Sequence, residues 1–154
     1  MADPYVSYRR CRYNSKHGVI IPTVIRESME SRNSPPFTLY TFLRTEEDPH
    51  VELFDDYSRR NGELPHGEYA ELKVVPTRRS IRLPGEFEEA LGIEDFVEVL
   101  GNWYWFEIWA PDAWKRFREP REARYQEIME EGHAGLLDEA LAEMAKGPDD
   151  QSTE

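Results

Sequence analysis

Residues 72–118, LKVVPTRRSIRLPGEFEEALGIEDFVEVLGNWYWFEIWAPDAWKRFR, carry the pattern that most narrows the folds open to this chain. Ile81, Leu83 and the residues before them read as a short strand that Pro84 stops, because proline cannot donate to a strand ladder. Gly85 and Glu86 open a helix through Leu91, with Phe87, Ala90 and Leu91 at helical spacing. Gly92 is placed to end it, since glycine enters the left-handed conformation at little cost. Phe96, Val97, Val99 and Leu100 read as a strand and Gly101-Asn102 as a two-residue turn. Trp103–Trp109 follows as a third strand, dense in aromatics that suit a pleated, half-buried surface. Ala110-Pro111-Asp112 ends the sheet ahead of a helix carrying Trp114 and Phe117.

The same order occurs upstream. Tyr5–Tyr13 reads as a strand, Asn14–Gly18 as a turn, and Val19-Ile20-Ile21 as a short strand ended by Pro22. A helix over Thr23–Met29 follows, then a loop at Asn33–Pro36 and a strand over Phe37–Leu43. A charged turn, Arg44–Pro49, leads to a strand over His50–Phe54. VIIPTVIRE (19–27) aligns with IRLPGEFEE (81–89) at an offset of 62, and VELF (51–54) with FEIW (106–109) at an offset of 55. An internal repeat of one supersecondary unit accounts for this. The units span residues 8–55 and 70–115, joined by a linker, 56–69, in which Gly62, Pro65 and Gly67 argue against one long helix. A unit of fewer than about 60 residues buries little surface alone and needs a partner.

Residues 116–146 read as helix, interrupted near Gly132-His133-Ala134-Gly135, with Leu136, Leu137, Ala140, Leu141 and Met144 at helical spacing. Residues 147–154 are polar and acidic and are expected to be disordered.

The repeated unit resembles the MraZ family of bacterial transcriptional regulators, built from two SpoVT-AbrB swapped-hairpin domains. The residues that carry the resemblance are Ile81, Leu83, Pro84, Gly92, Gly101, Phe106, Glu107, Ile108, Trp109 and Trp114. It implies a mainly β fold with short helices, of the α+β class: a tandem swapped-hairpin, double-ψ-type barrel with a helical C-terminal tail. It also implies a ring-shaped homo-oligomer that binds repeated promoter DNA and represses its own cell-division and cell-wall gene cluster. No cofactor and no catalysis are implied. In the family, a loop before each Ile-x-Ile-Pro-like strand carries an Asp-x-x-x-Arg pattern that serves DNA binding. Here Lys16 matches the family's lysine, while Asn14 replaces the aspartate and Gly18 the arginine. In the second loop Arg78 stands for the lysine, Pro76 for the aspartate and Ser80 for the arginine.

Arginines flank both loops. Arg9, Arg10 and Arg12 enter the first with Asn14 and Lys16, and Arg78, Arg79 and Arg82 span the second, so these eight are the expected DNA contacts. The chain's net charge of −12 opposes phosphate binding taken as a whole. The charge is uneven, however: residues 119–154 hold eleven acidic and three basic residues, so they carry −8 of the −12. Local patches outweigh the sum. The alternative is an oligomeric protein-interaction module in which DNA binding has been lost.

Enzyme readings lack a motif. No G-x-S-x-G, Walker loop or dinucleotide fingerprint is present. His17, His50, His66 and His133 are scattered without an H-x-x-x-H pair, so no metal site is expected. The aromatic residues Trp103, Trp105, Phe106, Trp109 and Trp114 are read as core and oligomer interface rather than as a base-stacking platform. A single cysteine, Cys11, suits a reducing cytoplasm, and no apolar run is long enough to span a membrane. The N-terminus has no apolar stretch of the signal-peptide kind. The expected location is therefore the cytoplasm, and on the resemblance the nucleoid.

Overall fold

Alternating apolar residues from both repeats build one shared sheet. The computed structural model describes residues 3–130. The first repeat contributes β1 (Tyr8–Arg12), β2 (Val19–Ile20), α1 (Thr23–Arg32), β3 (Thr38–Arg44) and β4 (His50–Phe54). The linker carries a short helix, α2 (Asp56–Arg60), and the second repeat contributes β5 (Ala70–Lys73), β6 (Ser80–Ile81), α3 (Gly85–Leu91), β7 (Phe96–Asn102) and β8 (Trp105–Trp109). Helix α4 (Pro111–Glu130) follows. The chain parts into two units, residues 1–115 and residues 116–154. The interruption near Gly132, the apolar stripe at Leu136–Met144 and the acidic tail at 147–154 lie outside the described residues.

The fold is mixed α and β with mostly antiparallel strands, as the sequence leads one to expect. Six strands form a sheet in the order β1-β7-β8-β4-β3-β5. The first strand of each repeat pairs with a strand of the sheet core: β1 with β7 of the other repeat, β5 with β3 of the other repeat. At the centre, β4 and β8 pair with Glu52 opposite Glu107 and His50 opposite Trp109. Strands β2 and β6 pair only with each other, as a separate two-stranded sheet. The large sheet consequently ends at β1 and β5, and it does not close into the barrel that the resemblance implied.

Two prolines at equivalent places in the aligned segments take the same backbone geometry. Pro22 and Pro84, offset by 62, precede α1 and α3 with φ, ψ of −55°, 144° and −55°, 148°. Both rings fix the extended entry that a helix start requires. Gly92 ends α3 in the left-handed region, with φ 65°. Helix α1 runs to Arg32, three residues past the expected Met29, because Arg32 is drawn into the interior by Asp55.

One face of the sheet packs under α1, α3 and the small sheet. Ile25, Met29, Leu53, Val97, Val99, Phe106 and Ile108 are removed from solvent there. Fully burying a Leu, Ile or Phe side chain contributes roughly 1.5–3 kcal/mol relative to leaving it exposed. On the other face Tyr40, Phe42 and Phe54 form a second cluster with Leu64 and Trp105.

The β7–β8 turn falls at Trp103-Tyr104 instead of the expected Gly101-Asn102, and Trp103 takes φ 69°. Gly101 serves a different need. A Cβ there would stand 2.5 Å from the backbone of Tyr5, whose segment continues the β1 pairing alongside β7 through Tyr5–Trp103 hydrogen bonds of 2.7 and 2.9 Å.

Candidate nucleic-acid interface

The antiparallel pairing of β2 and β6 sets Val19 opposite Ile81 and Ile20 opposite Ser80, so residues 14–18 and 76–79 enter this two-residue-long sheet from opposite ends, Gly18 beside Ile81 and Arg79 beside Ile21. Asn14 shapes the first loop: its Oδ1 accepts from the backbone N–H groups of Lys16 at 2.7 Å and His17 at 3.2 Å. Gly18 takes φ 79°, and a Cβ there would lie 1.8 Å from the carbonyl oxygen of Ile81. No arginine can stand at that position while the first loop packs this closely on the end of β6.

A groove of about 550 Å³ opens between edge strand β1, the first loop, the start of α1 and Arg78. Arg9, Arg10, Arg12, Asn14 and Arg78 line it. Lys16 and Arg82 act on it through His17, also a lining residue. Desolvation, and then the cations of Arg78, Lys16 and Arg82, hold that imidazole below its ordinary value.

The expected cations are not equivalent. Arg10 is committed: its guanidinium meets Glu98, fully buried, through Nε and Nη2, each at 2.7 Å from Oε2. Arg79, with φ 56°, is turned away to pair with Glu30 on α1. Arg12 lies 5.3 Å over the Phe96 ring. Among the described residues, no carboxylate lies within ion-pair distance of Arg9, Arg12, Arg78, Arg82 or Lys16.

Among the lining residues that escaped the sequence reading are His17 and, in the first turn of α1, Thr23 and Arg26. That turn holds no acidic residue and receives no side-chain cap, so its leading N–H groups point outward unpartnered by side chains. The signal was available, since the first turn of α3 carries Glu86 and Glu88 where α1 carries none. The groove beside α3 is correspondingly lined by Glu68 and Glu86.

No known family model matches this chain, and no curated protein matches it either.

Cys11 also lines the β1 groove. Burial pushes the Cys11 thiol up and Arg9 opposes it only in part, so the thiol stays protonated near neutral pH. The aromatic set divides by position. Phe106 and Trp109 are buried, Trp105 stacks on Phe54 with centroids 5.1 Å apart, and Trp114 stacks on Tyr8 at 6.0 Å. Trp103 projects at the hairpin tip, 55% exposed. Among the described residues, no helix is long and apolar enough to cross a membrane.

Proposed function

We propose that this chain is a sequence-specific DNA-binding regulator of the MraZ type, with two swapped-hairpin units of the SpoVT-AbrB kind, and that the β1 groove meets the phosphate backbone. The observation that carries the reading is the gathering of Arg9, Arg12 and Arg78, from strand β1 and the second loop, in one groove beside the uncapped, acid-free start of α1. Oriented N–H groups at a helix start and arginine donors both favour phosphate oxygens. The exchange of first strands between repeats fits a swapped-hairpin arrangement. A homo-oligomeric ring would place several such grooves on repeated promoter sites, where modest contacts multiply. The site of action is then the nucleoid in the cytoplasm, with the protein's own cell-division and cell-wall gene cluster as target.

A second reading has its own support. Ile20 and Val24 stand 64% and 47% exposed, with Ile20 in the groove wall, and apolar exposure of this kind suits a protein partner. One experiment separates the two. A labelled duplex from upstream of the gene and a scrambled duplex are titrated at rising salt against the full chain and an Arg12→Ala/Arg78→Ala variant. The regulator reading expects preference for the upstream duplex. It also expects a shallower log–log salt slope in the variant, by about 0.9 for each phosphate that is no longer neutralised. If neither duplex binds at low salt while the chain still self-associates, the interaction-module reading replaces it.

A further inference from the structure

Three potential metal ligands stand together on the sheet face opposite the main core. Glu52 on β4 and Glu107 on β8 are direct cross-strand partners, and His50 lies two residues from Glu52 on the same side of its strand. One ligand atom from each of the three lies within 4.8 Å of the others. Glu107 is buried, and His50 and Glu52 are half-buried. None of the three lines the β1 groove.

Two features set this trio apart from a chance gathering of acids. The first is like charge: carboxylates directly opposite each other on paired strands repel, and partial burial weakens the solvent screening that would relieve them. The second is the imidazole's tautomer. His50 Nδ1 lies 3.0 Å from the carbonyl oxygen of Asp48, which can only accept. A proton therefore sits on Nδ1, and Nε2, which faces Glu52, is the ring nitrogen left for a metal that displaces any proton it holds. A backbone carbonyl holding one ring nitrogen so that the other can bind a metal is the usual outer-shell arrangement. Stacking at 4.0 Å on Trp109 fixes the ring's plane. Outer partners also fix the carboxylates. Glu107 accepts from Asn102 Nδ2 at 2.9 Å, Trp105 Nε1 at 2.8 Å and Trp109 Nε1 at 2.9 Å. Arg44 Nε holds Glu52 Oε1 at 2.9 Å, and Oε2 faces His50 Nε2 at 3.6 Å.

We propose that His50 Nε2, Glu52 and Glu107 bind a divalent first-row transition metal, zinc being the best fit, with a fourth position open. Tetrahedral donors about 2 Å from zinc are spaced about 3.3 Å apart, so closing the trio takes only small side-chain rotations. One nitrogen and two oxygens suit zinc better than calcium, which takes oxygen ligands throughout.

The test is a zinc titration of the chelator-stripped full chain, followed by calorimetry and by tryptophan fluorescence. Ni²⁺ or Cu²⁺ serves as a quenching probe, because Trp109 and Trp105 adjoin the ligands. The expected result is one equivalent per chain, with affinity lowered about tenfold or more by either His50→Gln or Glu52→Gln. His66→Gln, in the linker, should leave it unchanged. Should His50→Gln fail to fold, the Glu52→Gln affinity and the absorption spectrum of the Co²⁺ form, tetrahedral with N and O donors, decide the matter. Absence of a stoichiometric ion, or binding that survives both substitutions in folded protein, overturns the proposal. The cation between the carboxylates would then be the proton on His50.

Discussion

Arg32 Nε and Asp55 Oδ2 lie 2.6 Å apart, with side-chain exposures of 2% and 1%. Around them Tyr5 and Asn33 donate to Asp55 at 2.7 and 3.1 Å, and Arg32 reaches Ser58 Oγ at 3.1 Å. Arg32 also lies over the rings of Tyr5 and Tyr57, at 4.9 and 4.7 Å. The pair ties α1 to the start of α2, which Asp55 also caps through the Ser58 N–H at 2.9 Å. Removing one partner strands the other as a buried charge. Arg32→Ala is expected to cost about 3–5 kcal/mol of unfolding free energy, measured by denaturant titration. A loss below about 1 kcal/mol would mean water reaches the pair.

The same pair sets an acid limit. Burial pushes the Asp55 carboxyl up, but Arg32, the Ser58 N–H, Tyr5 and Asn33 more than reverse it, so its folded value lies below the ordinary one. A depressed carboxylate contributes stability that is whole above its unfolded value of about 4 and is lost as pH falls through the folded value. Unfolding free energy should therefore decline below about pH 4, and Asp55→Asn should flatten that decline. Equal acid slopes in wild type and variant would assign acid sensitivity to other groups.

Arg78 and Arg79 are neighbours in sequence with opposite fates. Arg78 lines the groove and Arg79 is held by Glu30. Arg78→Ala should weaken binding to duplex DNA and reduce the salt slope by about 1, whereas Arg79→Ala should change neither. Equal effects from the two, in a filter or anisotropy assay, would show that the groove is not the contact surface.

Gly18 meets the backbone of Ile81 and takes φ 79°. Strain at such a φ costs roughly 1–3 kcal/mol and the steric clash adds to it, so Gly18→Ala should lower stability by about 3 kcal/mol or more. A thermal melt suffices as the readout. A melting temperature within about 2 °C of wild type would mean the first loop moves off β6 at little cost.

Much of the fold was legible because its signals are local. Pro22 and Pro84 announced their helices, α1 and α3. Gly101 misled, because a glycine required by a closely packed neighbouring backbone looks the same in sequence as one required by a turn. The groove was legible in part: arginine clusters are visible, but the partner that captures each one is not. Nothing near Arg79 in sequence points to Glu30, 49 positions away. The trio of His50, Glu52 and Glu107 was invisible for the same reason, since motif spacings for helices overlook a strand pair joined by β4–β8 register.

The crosswise pairing of β1 with β7 and β5 with β3 bears on assembly. Neither repeat owns a complete set of neighbours for its own strands, so half of this chain is a monomer with open edges that a second half must satisfy. Residues 56–69 act as a tether holding the halves at high effective concentration. A chain cut between Asn61 and Gly67 should therefore stay together as a two-fragment complex, whereas either fragment alone would seek its own kind and form a dimer.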